Sequence, residues 1–162
     1  MKHLRLWVTL GLFGLLAAVG SVVLLQAQDG AGQQFIGGSY LITFKDSLGN
    51  FVAREVITLH ADRTMSAIDS GQGGPAYYYS SQLGAWKPDG YRRVVARTID
   101  FDLPPSPEVV ARLDFIIHFG EDFSQVAGAV IITYFPLETG NPLEGGGTVI
   151  ANYTLAGELI RP

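Results

Sequence analysis

Gly84-Ala85-Trp86-Lys87-Pro88-Asp89-Gly90-Tyr91-Arg92-Arg93-Val94-Val95-Ala96-Arg97-Thr98-Ile99-Asp100-Phe101-Asp102-Leu103 decides the fold. It reads as a hairpin in the middle of an all-β domain. A short strand carries Trp86, Pro88-Asp89-Gly90 turns the chain, and a long strand alternates from Arg92 to Leu103. Proline presets φ for the first turn position and glycine tolerates positive φ, so this triplet reverses the backbone at little cost. Strands on either side can then extend the ladder.

Upstream, Ser39 to Lys45 places Tyr40, Ile42 and Phe44 on one face. Asp46 to Asn50 forms a hairpin loop. The strand Phe51 to His60 sets Phe51, Ala53, Ile57 and Leu59 on one face with Glu55 among them, and Thr64 to Asp69 is a third, weaker strand. Ser70 to Gln82 is irregular and rich in glycine and tyrosine. Downstream, Pro104-Pro105-Ser106-Pro107 cannot lie inside a ladder, because its three prolines have no N–H to donate. The strands Ala111 to Phe119, Gln125 to Phe135 and Thr148 to Leu159 follow, the last two joined by the Gly/Pro-rich loop Pro136 to Gly147. Leu113, Phe115, Ile117 and Phe119 are expected to point inward, and Gly128 marks a bend. Eight strands in succession, with no long amphipathic helical window, predict an eight-stranded antiparallel up-and-down barrel preceded by an N-terminal hydrophobic helix. A β-sandwich is the alternative. Closure removes the exposed edges that such strands would otherwise present.

The totals fit that reading. The chain has 162 residues, 20 of them glycine and 8 proline, which suits one core joined by many turns. Of the 11 basic residues, 9 remain once Lys2 and Arg5 are set aside, against all 15 acids, so the part from Gln28 onward carries about −6. Such a surface repels nucleic acid and offers no polybasic patch to anionic lipid. There is no cysteine, which rules out disulfides, thiolate nucleophiles and cysteine metal sites. Lys2, His3 and Arg5 precede an apolar run from Leu6 to Leu25. A basic start followed by such a run reads as an export signal, and this one is long enough to cross ~30 Å of hydrocarbon. Residues 1–27 are therefore expected to be a signal peptide or an N-terminal membrane anchor, 28–36 a polar linker and 37–162 the barrel. The expected location is extracytoplasmic: secreted, periplasmic, or anchored to the outer face of the cytoplasmic membrane.

Gly38-Ser39-Tyr40 opening the first strand behind an export segment, followed by consecutive strands, resembles the lipocalin-like (calycin) superfamily. Typical lipocalins carry Gly-x-Trp at that place, where this chain has Tyr40. Gly84 to Lys87 with Arg92 to Phe101 is similar to a block found in uncharacterised secreted bacterial barrels. The resemblance covers residues 37–159. It implies a barrel that takes up a small apolar or amphipathic molecule, and some related barrels act as cyclases.

Two charges interrupt apolar faces: Glu55, and Arg97 among Val95, Ile99, Phe101 and Leu103. If both faces line the interior, the pair would sit at the base of a cavity, orient a polar ligand group or transfer a proton. Tyr40, Tyr77, Tyr78, Tyr79, Trp86, Phe101 and Phe115 are the other candidate ligand contacts, with the tyrosine run forming an aromatic lip. Asp100, Asp102 and Asp114 read as solvated strand faces. No metal site or cofactor is expected, since two strand-end histidines, His60 and His118, lack a third ligand. No nucleophile elbow, P-loop or dinucleotide motif is present, so the reading leans away from an enzyme. Val126, Val130, Ile132 and Tyr134 oppose Ala127, Ala129, Ile131 and Phe135 on one strand. That outer apolar stripe points to a protein partner, to self-association, or to a loop folded across it. Three functions fit: a small-molecule carrier, a structural or accessory subunit of a larger membrane or cell-surface assembly, and a cofactor-free barrel cyclase or isomerase.

Overall fold

A computed structural model describes residues 37–72, 78–104 and 106–162. The expected N-terminal helix, and with it the signal or anchor, lies outside the described residues. The strands are β1 (Gly38–Lys45), β2 (Phe51–Leu59), β3 (Thr64–Asp69), β4 (Tyr78–Tyr79), β5 (Gln82–Pro88), β6 (Arg93–Leu103), β7 (Val109–Phe119), β8 (Gln125–Pro136) and β9 (Thr148–Leu159). Eight of them close into an antiparallel barrel in the cyclic order β1-β2-β3-β5-β6-β7-β8-β9, with β9 returning to β1 and β6 meeting β7. The two-residue β4 clips onto the far end of β6 through Tyr78 opposite Leu103 and Tyr79 opposite Asp102. The barrel, and not the sandwich, is therefore the fold.

Inner glycines let the ring close. A Cβ on Gly84 would lie 1.9 Å from the Arg97 carbonyl oxygen, and one on Gly128 1.9 Å from that of Ile116. Neighbouring backbones thus occupy the space a side chain would need, which permits the sharp coiling of a small barrel. The hairpin at the centre of the sequence forms as expected, with Trp86 opposite Ala96 and Pro88 opposite Val94.

The two ends of the barrel differ. The first is filled by Tyr40, Leu59, Met65, Trp86, Phe119 and Phe123. Tyr40 meets Phe119 edge-on at 5.8 Å between ring centres, and its hydroxyl donates to the Phe123 carbonyl at 3.2 Å. The Trp86 indole N–H donates to the His60 carbonyl at 3.0 Å, and the Arg63 guanidinium lies 4.4 Å from the Trp86 ring centre. Aromatic volume with satisfied polar tips makes this end a plug. The second end carries the loops after β1, β3, β6 and β8, and it is hollow.

The outer apolar stripe on β8 is partly covered by the chain itself. Phe135 and Thr133 are buried although they face outward, because the loop 137–147 folds against them: a Cβ on Gly147 would lie 2.7 Å from each side chain. Arg112 ties this loop down by donating to the Pro142 and Glu144 carbonyls at 3.0 and 2.9 Å, its guanidinium 5.0 Å from the Phe135 ring centre. Further along, Ile116 and Ile131 stay exposed.

Candidate functional site

At the open end the interior holds a cavity of about 350 Å³, near the lower end of the ~300–1,000 Å³ typical of ligand pockets. Its apolar walls include Phe44, Ala53, Leu113, Val130, Ile132 and Tyr153, and four carboxylates line it: Glu55, Asp69, Asp100 and Asp102. Among the described residues no Lys or Arg lines it.

The strand register places each group. Glu55 of β2 lies directly across from Asp69 of β3, an arrangement in which like charges oppose one another. Asp100 and Asp102 point inward from β6 beside Thr98, whose hydroxyl donates to the Gln82 side-chain oxygen at 2.9 Å. Ala111 of β7 sits between Asp100 and Tyr134 in the ladder. The short side chain there leaves room for the Tyr134 hydroxyl to reach Asp102 Oδ2, to which it donates at 2.7 Å. Asp69 Oδ1 accepts from the Tyr79 hydroxyl at 2.6 Å and from the Gly71 N–H at 2.5 Å. Two of the four carboxylates are thereby answered.

The other two are not. Glu55 is 1 % exposed, yet neither of its carboxylate oxygens has a hydrogen-bond partner, and Asp100 Oδ1 has none. Burial, reinforced by Asp69 and Asp100, pushes the Glu55 carboxyl up to about 8. Burial, with Asp102 and Asp69 nearby, raises Asp100 to about 7. Burial also raises Asp102, against the lowering effect of its Tyr134 hydrogen bond. Tyr79 is raised too, by burial and by donating to Asp69. Empty, the site at neutral pH holds Glu55 mostly as the neutral acid. Among the described residues no group of three or more acidic or histidine side chains could hold a metal ion.

Several sequence expectations change here. Arg97 does not approach Glu55. It faces outward and donates from Nε to Asp114 Oδ1 at 2.6 Å, and Asp114 is shared with Arg112 at 2.9 Å. Phe101 also faces out and is exposed. On β6 the inner face is Val94, Ala96, Thr98, Asp100 and Asp102, the reverse of the expected one. Asp100 and Asp102 are accordingly buried and not solvated. Tyr40 and Trp86 belong to the plug, away from the cavity, and Phe115 packs in the core beyond Leu113. Tyr78 is exposed, with its N–H bonded to the Ser106 hydroxyl. Tyr77 lies outside the described residues. Glu55 and Tyr79 line the cavity, while Asp69, Gln82, Asp100, Asp102 and Tyr134 were not singled out as ligand contacts by sequence reasoning.

A larger concavity of about 670 Å³ lies on the outer surface along Lys87, Val95, Arg97, Ile116 and Ile131. Arg97 and Asp114 there are paired with each other and Lys87 is exposed to solvent, so it presents no buried unmet polar group comparable to Glu55. No protein-family model matches the chain, and neither a curated protein nor a solved structure is significantly similar to it.

Proposed function

We propose that this is a lipocalin-like carrier that holds a small amphipathic molecule in the open end of its barrel. The observation that carries the reading is Glu55, a carboxyl with both oxygens unanswered, facing a cavity that joins apolar and aromatic walls to Asp69, Gln82, Asp100 and Asp102. Burying such a group costs free energy unless something bonds to it, and a ligand's polar head can supply the bond. The ligand's apolar body would rest against Phe44, Leu113, Val130 and Ile132. The basic start and apolar run of residues 1–25 support placing this carrier outside the cytoplasm. They equally support attachment to the membrane where that segment is retained.

A second reading keeps the cavity and adds chemistry. Glu55 and Asp100, titrating near neutrality inside the barrel's open-ended cavity, have the character of general acids and bases. A cofactor-free isomerase or cyclase would lose turnover but keep binding in Glu55→Gln.

Native mass spectrometry of the full-length chain, extracted gently from its own cells, tests the carrier reading. A small-molecule adduct at one per chain is expected, and it should be absent from Ala111→Phe, which fills the cavity from β7. A barrel that is empty in both forms overturns the reading.

A further inference from the structure

The hydrogen-bonding supply of the cavity is lopsided. The Tyr79 and Tyr134 hydroxyls already donate to Asp69 and Asp102, and the Thr98 hydroxyl to Gln82. What remains unanswered, Glu55 Oε1, Glu55 Oε2 and Asp100 Oδ1, is all carboxyl oxygen, which only accepts when ionised, while the neutral Glu55 acid offers a single O–H. From the other elements, Phe44 (β1), Gln82 (β5), Ala111 and Leu113 (β7), and Val130 and Ile132 (β8) face the same space without adding a charge. The titratable groups present are Glu55 (β2), Asp69 (β3), Tyr79 (β4), Asp100 and Asp102 (β6), Tyr134 (β8) and Tyr153 (β9). A ligand that brings donors and positive charge can answer all three oxygens at once, with Glu55 ionised.

We infer that the ligand's head is a protonated amine or amidine, and that its entry drives ionisation of Glu55 so that binding releases a proton. This rests on the carrier reading above. The carboxylates do not converge on one metal-sized point, which suits an organic cation whose N–H groups reach several oxygens. The rings of Phe44, Tyr79, Tyr134 and Tyr153 around them attract a cation as well. In the empty barrel Glu55 avoids burial as a charge beside Asp69 and Asp100 by keeping its proton. An ammonium beside Glu55 reverses that preference, because an opposite charge stabilises the ionised form.

The test is isothermal titration of the full-length chain with hexylammonium, hexan-1-ol, hexanoate and hexyltrimethylammonium, which share one apolar body and differ in the head. Hexylammonium is expected to bind at least tenfold more tightly than hexanol at pH 7.5, with hexanoate weakest. Its affinity should rise by up to tenfold per pH unit from pH 5.5 to 7.5, the limit for release of one proton. Binding heats that change with the ionisation heat of the buffer would register that proton directly. Glu55→Gln should abolish the preference, bringing hexylammonium to within about twofold of hexanol in the same variant, and Asp100→Asn should weaken it. Equal affinity for hexanol and hexylammonium overturns the inference and leaves the carrier reading standing. So does a preference that survives in Glu55→Gln, or a quaternary head that binds as well as the primary one. If none of the four binds and native mass spectrometry shows an empty barrel, the carrier reading itself has failed.

Discussion

Replacing Glu55 by Gln should make the empty barrel less sensitive to alkali, contrary to the usual effect of losing a carboxylate. Glu55 titrates at about 8 in the folded chain against an ordinary 4.5. Its folded state therefore binds the proton more tightly than the unfolded state does. The stability linked to this proton is fully present below about pH 4.5 and is lost as the pH rises towards 8. At about 1.4 kcal/mol per pH unit the whole interval amounts to about 5 kcal/mol. Solvent reaching the cavity through the open end will reduce that figure, so a loss of about 2–4 kcal/mol between pH 5 and 8 is expected. Gln has nearly the same shape and never ionises, and it removes this slope. Asp100, raised to about 7 chiefly by burial and by Asp102, keeps its own smaller slope in both proteins. Urea unfolding at half-unit steps from pH 5 to 9 reads the difference directly. The gap in unfolding free energy between Glu55→Gln and the parent should widen with pH, steeply up to about 8 and little beyond. Parallel curves would refute the reasoning, for they would mean that Glu55 is ionised or bonded in the empty barrel.

Other expectations follow from the packing. Gly84→Ala should cost about 3 kcal/mol or prevent folding, since its Cβ would meet backbone and not a movable side chain; an unchanged urea midpoint would contradict this. Arg92 and Phe123 both adopt positive φ, at 52° and 58°. Arg92→Gly should be neutral or stabilising by up to about 1 kcal/mol. Phe123→Gly should instead lose about 2–4 kcal/mol, because its ring packs on Phe119 in the plug. Thermal melts of the pair separate backbone relief from lost packing. Arg97→Ala removes a half-exposed ion pair and should cost under about 1 kcal/mol. A loss of several kcal/mol in urea would show that the outer pair carries more than its exposure implies.

The architecture was legible because nearly every strand alternates and the turns announce themselves. All eight barrel strands were expected, and the long ones end within two residues of the predicted limits. Glu55 stood out as a charge on an apolar face. The rest of the cavity stayed hidden because β6 is more apolar outside, through Val95, Ile99, Phe101 and Leu103, than inside. The deciding signal lay in the hairpin: Trp86 pairs with Ala96, and an inward Trp86 forces Asp100 and Asp102 inward with it. That parity depends on the turn length, and a slip of one residue moves every side chain to the other face. Arg92 in the left-handed region is part of what sets the length, and nothing in an arginine advertises it. The role of Tyr134 was equally remote, since its partner Asp102 lies 32 positions away and two strands over.

The β1–β9 seam is a continuous antiparallel ladder from Tyr40 opposite Leu159 to Lys45 opposite Thr154, and the Ile160 N–H donates to the Ser39 carbonyl at 2.8 Å. In the folded state the strands therefore have a neighbour order but no first member. A short linker from residue 160 to residue 38, with the chain reopened between Asp46 and Asn50, would rewrite the genetic order of the strands. Every backbone pairing around the circle would survive, and a peptide written in a different sequence would still describe the same object.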